Sequence, residues 1–303
     1  MKTDMIRIFY LCILLILVSA ITLNASPADS TKLKVLTYNI WNGFDWGKDS
    51  VRRESCVNWI KEQNADVVSL QELCGYTDEM LKEDAAKWGH QYSVLLKTSG
   101  YPTGITSNKP ITLKAKVIKP FWHGLLHCET YGIDFFVVHF SPADSDFRLK
   151  ETKMVSEMIK NSGSEKYIIN GDFNSYSPFD ALWIEPNTPL KEKNKPRAGS
   201  KHTNLRLGEF DYSAISTILG TPAIDLALNK VDLQDSYTFP SEALDGLYKQ
   251  TLETIKQNAV RIDYIMASPI LAKDCTKVEV YNSGITNTLS DHYPMMAEFK
   301  IAE

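Results

Sequence analysis

A small set of residues in this chain has the right chemistry to hold a cation and cleave a phosphate ester. They are Asn39 in Thr37-Tyr38-Asn39, Glu72 after Leu70-Gln71, His139 after Val138, and Asp172 and Asn174 in Asn170-Gly171-Asp172-Phe173-Asn174. Asp263 in Arg261-Ile262-Asp263-Tyr264, with Asp291 and His292 in Ser290-Asp291-His292-Tyr293-Pro294, completes the set. Oxygen ligands together with imidazoles suit a divalent metal acting on a phosphate ester.

Each residue carries its own argument. A carboxylate such as Glu72, at the end of an apolar run, must be solvated, paired or on a metal. Around Gly171 the chain can turn sharply. Alternation then sets Asp172 and Asn174 on one side and sends Phe173 into the core. A carboxylate beside a carboxamide can orient a water and contact a phosphoryl oxygen. Asp263, flanked by Ile262 and Tyr264, needs a partner. Either His292, whose tautomer it would set, or the adjacent Arg261 could serve. His139 closes the run Phe135-Phe136-Val137-Val138 and would suit a general acid that protonates a leaving oxygen.

These groups meet only if strands deliver them. Leu33 to Ile40, Ala65 to Leu70, Gln91 to Leu96, Gly104 to Ser107 and Ile111 to Ile118 have strand patterns. So do Leu125 to Thr130 and Ile133 to Phe140, joined at Tyr131-Gly132, then Tyr167 to Asn170, Val260 to Ala267, Lys277 to Tyr281 and Met295 to Ile301. Helical spacing marks Val51 to Lys61, Thr77 to Trp88 and Phe147 to Ile159, and shorter helical pieces are expected at Ala214 to Leu219 and Ala223 to Leu228. Helices fall between strand groups, which two facing sheets with helices outside would bury.

Composition limits the partners. The chain has 303 residues and a net charge of −4, a poor balance for gripping long nucleic acid through its phosphates. Lys2 and Arg7 precede an apolar run from Ile8 to Ala20, with small residues at Ser19-Ala20 and Ala25-Ser26. That pattern predicts a signal peptide over residues 1–25, an exported protein (periplasmic or extracellular), and no membrane span after its removal. Residues 32–303 are then one catalytic domain, expected to be monomeric. Cys56, Cys74, Cys128 and Cys275 are either two disulfides or four buried thiols.

Taken together, the motifs resemble the endonuclease/exonuclease/phosphatase superfamily, the DNase I-like fold, over Lys32 to Ile301. Gly171-Asp172-Phe173-Asn174 and Ser290-Asp291-His292 are its strongest marks. The resemblance implies an α/β protein, a four-layer α/β/β/α sandwich of two packed, mainly antiparallel sheets flanked by helices. It implies Mg²⁺, or Mn²⁺, held by Glu72 with Asn39 and Asp291 in the same shell. It also implies Asp172 activating water, Asn174 steadying the phosphoryl group, and His292, oriented by Asp263, stabilising the transition state. His139 matches a branch that includes secreted nucleases and sphingomyelinase-like enzymes. One departure, Gly104-Ile105-Thr106-Ser107-Asn108-Lys109-Pro110, shortens a segment expected to touch substrate.

The expected activity is an exported Mg-dependent phosphoric ester hydrolase, a phosphodiesterase or phosphatase. Its phosphoester substrate would be a small molecule, a glycan phosphate or a lipid headgroup. A secreted nuclease ranks below this, and a non-catalytic ligand-binding protein lower still. The basic stretch Ile184 to Phe210 could draw in a phosphate, although a solvated loop explains it as well. Trp41, Phe44 and Trp46 could stack a ligand or simply pack. His123, His127 and His202 show no partner pattern and are expected to be structural.

Overall fold

Along the first strand, Leu36 and Tyr38 point one way and Val35, Thr37 and Asn39 the other, the period-2 alternation of a strand buried on both faces. The structure is a computed structural model that describes residues 30–196 and 198–302. The expected signal peptide lies outside the described residues. Lys32–Lys300 form one compact unit.

In chain order the strands are β1 Ser30–Asn39, β2 Val67–Gln71, β3 Tyr92–Leu95, β4 Gly104–Ser107, β5 Thr112–Val117, β6 Leu125–Thr130 and β7 Ile133–His139. They continue with β8 Tyr167–Asp172, β9 Leu205–Arg206, β10 Glu209–Phe210, β11 Ile224–Asp225, β12 Asp263–Ala267, β13 Cys275–Val280 and β14 Met295–Ala302. Two six-stranded sheets result, ordered β13-β14-β1-β2-β4-β3 and β11-β12-β8-β7-β6-β5, with β9 and β10 as a separate small hairpin. Both sheets are mixed: β1 and β2 pair parallel, as do β7 and β8, and the other pairs of these sheets with a described register are antiparallel.

Each sheet buries its outer face under helices. Leu36, Tyr38, Val68 and Leu70 pack with Cys56, Trp59 and Ile60 of helix Ser50–Gln63 and with Leu81 and Ala85 of helix Asp78–Lys87. Phe136, Val138, Ile169, Tyr264 and Met266 pack with Val155 and Ile159 of helix Ser145–Ser162 and with Ile215 and Ile218 of helix Ser213–Leu219. The helices begin where side chains satisfy free backbone donors. Asp49 accepts from Arg52 N, Thr77 from Met80 N, and Asp144 from Asp146 N and Phe147 N.

The inner faces meet each other. Here Val35, Val67, Phe135, Val137, Ile168 and Ile265 are fully buried, and Asn170 Nδ2 reaches across to Ser69 Oγ at 3.0 Å. The order is helices, sheet, sheet, helices, as the sequence predicts.

Three expectations change. Ala223 to Leu228 is not helical; it holds β11, where Asp225 pairs across from Met266 and its carboxylate meets Arg261 at 2.7 Å. The stretch Ile184 to Phe210 is no plain loop, since it contains helix Thr188–Asn194 and the β9–β10 hairpin. Ser107 pairs with Val67 at the start of β2, whereas Glu72 follows the end of β2. Asn108, Lys109 and Pro110 therefore leave the sheet at the end opposite Glu72, and the expected substrate contact there has no basis in the fold.

Cys56, Cys74, Cys128 and Cys275 are all free and buried. Burial pushes the Cys56, Cys74 and Cys128 thiols up to about 12. All four should resist an aromatic disulfide reagent at pH 8 in the native protein and react together on denaturation. Prompt native labelling would contradict this packing.

Gly171 has no room for a side chain between β8 and its neighbour β7. It holds φ +135, and a Cβ there would lie 2.0 Å from the Val138 carbonyl oxygen. Gly171→Ala should cost on the order of 3 kcal/mol or more, read by chemical denaturation. A variant as stable as the parent would show that the strands tolerate more separation.

Candidate active site

Parallel strands end, and their antiparallel neighbours begin, at the same edge of a sheet. Asn39 is opposite Gln71, His139 is opposite Asp172, and Asp172 is opposite Asp263. Asn39, Gln71, His139, Asp172 and Asp263 are thus the terminal inward-facing positions of five strands. Alternation makes these five side chains share one rim of the inter-sheet layer. Glu72 follows β2 with φ 59, a left-handed kink that turns it toward the same rim.

The contacts confirm the convergence. Asn39 Nδ2 donates to Asp172 Oδ2 at 3.1 Å, across the two sheets, and to Glu72 Oε1 at 3.4 Å. Asp172 Oδ1 accepts from Asn174 N at 2.8 Å. His139 Nε2 lies 3.4 Å from Asp172 Oδ2 and 4.0 Å from Glu72 Oε1. His292 Nδ1 meets Asp263 Oδ2 at 2.8 Å, and its Nε2 stands 3.8 Å from Asp172 Oδ2. Of the two partners open to Asp263, the fold supplies His292. Arg261 instead pairs with Asp180 at 3.0 Å and Asp225 at 2.7 Å.

Charge is crowded here. Burial drives the Asp172 carboxyl up; the His292 charge opposes the shift, and Asp263 and Glu72 add to it. The Asp291 carboxyl is also pushed up, by burial and then, against His292, by Glu72 and Asp263. For His292 burial disfavours the charge, but Asp263 and Asp172 outweigh it and hold the ring well above its ordinary value. His139 goes the other way. Burial, with His123 and His292, holds it well below the ordinary range, so its ring is neutral at pH 7. A neutral His139 donates a hydrogen bond but has no imidazolium proton to give, so the general-acid role expected from sequence lacks its electrostatic support.

The carboxylates of this rim fit a divalent cation, while His292, cationic and hydrogen-bonded to Asp263, stands beside them rather than among the ligands. Asp172, Asp263 and His292 bring polar atoms within 4.8 Å of one another, and Asp263 Oδ1 is buried without a hydrogen-bond partner. When ionised, Glu72, Asp172, Asp263 and Asp291 outnumber the single imidazolium, and a cation would favour that ionised state against the burial that pushes the Asp172 and Asp291 carboxyls up. Asn39 lies beside Glu72 at this rim, where the expected metal shell would be. Its Oδ1 accepts from Trp41 N at 3.1 Å, and its amide nitrogen faces the carboxylates. Through Asp172, Asn39 also ties the two sheets together.

Several contributors carried no signal in the sequence. Trp41 to Trp46 form a left-handed turn, each residue with φ between 53 and 60. Such backbone costs non-glycine residues about 1–2 kcal/mol each. Arg52 clamps the turn, donating to the carbonyls of Ile40, Trp41 and Leu289 with its guanidinium over the Trp41 and Phe44 rings. The turn aims Asn42 N at Glu72 Oε2, 2.7 Å away. Phe44 is buried packing, whereas Trp46 stays half exposed with its ring edge to Tyr101. His123 stacks on His139 with ring centres 4.2 Å apart, so it belongs to the site after all. His127 and His202 are structural, paired with Asp134 and Asp144. Thr238 Oγ1 accepts from Asp263 N, and Phe239 packs on the His292 ring.

With this geometry in view, comparison with known proteins is direct. Residues 36–292 match the endonuclease/exonuclease/phosphatase family, and the chain belongs to it. It is accordingly a metal-dependent phosphoester hydrolase by family. Among solved structures it is similar to an AP endonuclease from Archaeoglobus fulgidus, at 18% identity and TM-score 0.67, covering 89% of this chain and 100% of that one. It is also similar to the 3' phosphatase NExo (D146N) from Neisseria bound to product DNA hairpin, at 19% identity and TM-score 0.66 with the same coverage. No curated protein sequence matches the chain.

Arg261 anchors the start of β12, and so Asp263, through two buried carboxylates. Arg261→Met would leave Asp180 and Asp225 uncompensated and should cost about 3–5 kcal/mol in urea unfolding. A loss below about 1 kcal/mol would show that the network is solvated.

Proposed function

We propose that this protein is an exported hydrolase of phosphoric esters that works with Mg²⁺ or Mn²⁺ on a small-molecule, glycan-phosphate or lipid-headgroup substrate. The observation that carries the reading is the placement of Asp172. Its Oδ2 faces Asn39, His139 and His292 within 3.8 Å, at the open end of the inter-sheet layer.

In this reading a water oxygen attacks phosphorus in line with the departing oxygen. Asp172 takes the water's proton as the new P–O bond forms. The P–O bond to the leaving group breaks, and that oxygen takes a proton from solvent. His292, kept cationic by Asp263, donates its Nε2 proton as a hydrogen bond to a non-bridging oxygen, where charge builds up. Neutral His139 donates a second hydrogen bond from the same rim. Asn174, whose backbone N–H donates to Asp172 Oδ1 and whose Nδ2 donates to Phe140 O, orients the carboxylate and would steady the phosphoryl group. Glu72 and Asp291 would hold the divalent ion. When bound, that ion neutralises phosphoryl charge and polarises the ester.

The acidic net charge of −4 favours small substrates over long nucleic acid. A second reading, a nuclease or DNA 3'-end hydrolase, is favoured by the likeness to structures described as an AP endonuclease and a 3' phosphatase. Export rests on the apolar run Ile8 to Ala20 and its small-residue flank.

A phosphoester panel with and without Mg²⁺ tests the proposal. Asp172→Ala and His292→Ala should each lower kcat/KM by about 10³-fold or more while the fold is kept. Chelation should abolish turnover, and Mg²⁺ or Mn²⁺ should restore it. Turnover retained in both variants refutes the assignment. Efficient Mg²⁺-dependent plasmid nicking, with no small ester cleaved, makes the nuclease reading the correct one.

A further inference from the structure

Two arginines of this protein are buried to the same depth, and only one has carboxylates within ion-pair distance; Asp211, Glu151 and Asp144 act on Arg148 only from farther away. Arg261 is 5% exposed and pairs with Asp180 and Asp225. Arg148, on helix Ser145–Ser162, is 3% exposed and pairs with no carboxylate among the described residues. Its Nη1 donates to Ser141 O at 2.8 Å and Asn204 Oδ1 at 2.9 Å. Its Nε is buried with no partner, and Nη2 makes no hydrogen bond among the described residues. A desolvated guanidinium with unused donors is costly to maintain. Burial holds Arg148 below its ordinary value, whereas the carboxylates on Arg261 raise that group above its own.

Arg148 lines a cavity of about 160 Å³ that adjoins the reaction centre through Asn174 and Phe239. Asn174 and Phe239, the ring packed on His292, form part of its wall. Lys193 and Asn194 form another part, and no carboxylate lines it among the described residues. Lys193 also lines an adjoining cavity of about 380 Å³. Three other cations of the basic stretch are less available. Lys191 pairs with Glu185 and Glu209, Lys195 with Glu192, and Arg206 with Asp146 and Asp211. Lys193 has no ion pair among the described residues.

We propose that this cavity receives a second oxyanion, a phosphate or carboxylate carried by the same substrate whose scissile ester lies at Asp172 and His292, with Arg148 and Lys193 as its cationic contacts. The inference rests on the hydrolase reading above and narrows its substrate class to small molecules bearing two acidic groups. The planar guanidinium of Arg148 suits an oxyanion through its Nη2 hydrogens, with a fixed geometry that point-charge lysines cannot match. Asn258 Oδ1, buried without a partner in the same wall, would accept a hydroxyl of that substrate.

Two measurements separate this inference from the reaction itself. The first is calorimetric titration of the metal-free protein with inorganic sulfate. Without a divalent ion the carboxylates of the reaction centre repel the dianion, so binding reports on the cavity. Sulfate should bind the parent. Affinity should fall by about tenfold or more in Arg148→Gln, the loss expected for charge-assisted hydrogen bonds. Lys193→Met, at an exposed position that burdens folding little, should weaken binding several-fold, and it decides the matter if Arg148→Gln does not fold. No sulfate binding by the parent, or equal binding by Lys193→Met, overturns the inference.

The second compares kcat/KM for glucose 1-phosphate, glucose 1,6-bisphosphate and glucuronic acid 1-phosphate. The parent should prefer the two doubly acidic compounds, the bisphosphate if the site is shaped for phosphate and the glucuronate if for carboxylate. That preference should collapse in Lys193→Met. A parent that turns over all three equally overturns the inference while leaving hydrolysis intact. A protein that binds sulfate as described yet hydrolyses no phosphoester overturns the reaction reading and, with it, the assignment of the anion to a substrate.

Discussion

Like charges held close together in a desolvated place set the terms for this molecule. Glu72, Asp172, Asp263 and Asp291 crowd one rim of the inter-sheet layer, and His292 is the only cationic ring among them. Such a cluster opposes folding unless hydrogen bonds, an imidazolium and a bound cation offset the repulsion. The neighbouring devices share that purpose. Asn39 bridges Glu72 and Asp172, Asn174 N and Asn42 N each donate to a carboxylate, and Asp263 fixes the His292 ring.

The sandwich is the means of holding the cluster together. Strand alternation puts every second residue into the layer between the sheets, and the last such residue on each strand faces the open end. Small polar groups in that layer, Ser69 and Asn170 among them, let the sheets approach closely enough for Asn39 to touch Asp172. Outer-face residues such as Leu36, Tyr38, Phe136 and Val138 take no part in chemistry, but they bind the helices that keep both sheets in place. Position and reactivity thus come from one periodicity read on opposite faces.

Much of this was legible in the linear chain because it is local. Short apolar runs ending in Gln71-Glu72, His139 and Gly171-Asp172 announce buried strands with polar tips, and motif order pointed to the family. The misreadings have a common physical origin. Whether Ala223 to Leu228 is a strand or a helix depended on Arg261 needing Asp225, a contact 36 residues away in sequence. His123 gave no spacing signal, since it joins the site by stacking on His139 rather than by sharing a strand. The left-handed turn at Trp41 to Trp46 contradicts the propensities of its own residues and persists through Arg52. The proton economy of His139 was hidden as well, because burial, which no motif encodes, keeps it neutral.

The central claim is that the crowded carboxylates form a divalent cation site at the reaction centre. Anomalous diffraction from crystals soaked in Mn²⁺ tests it most directly. The account predicts a strong peak within bonding distance of the Glu72 carboxylate, on the rim shared with Asp172 and His292. A peak confined to other surfaces, or none at saturating Mn²⁺, would contradict it.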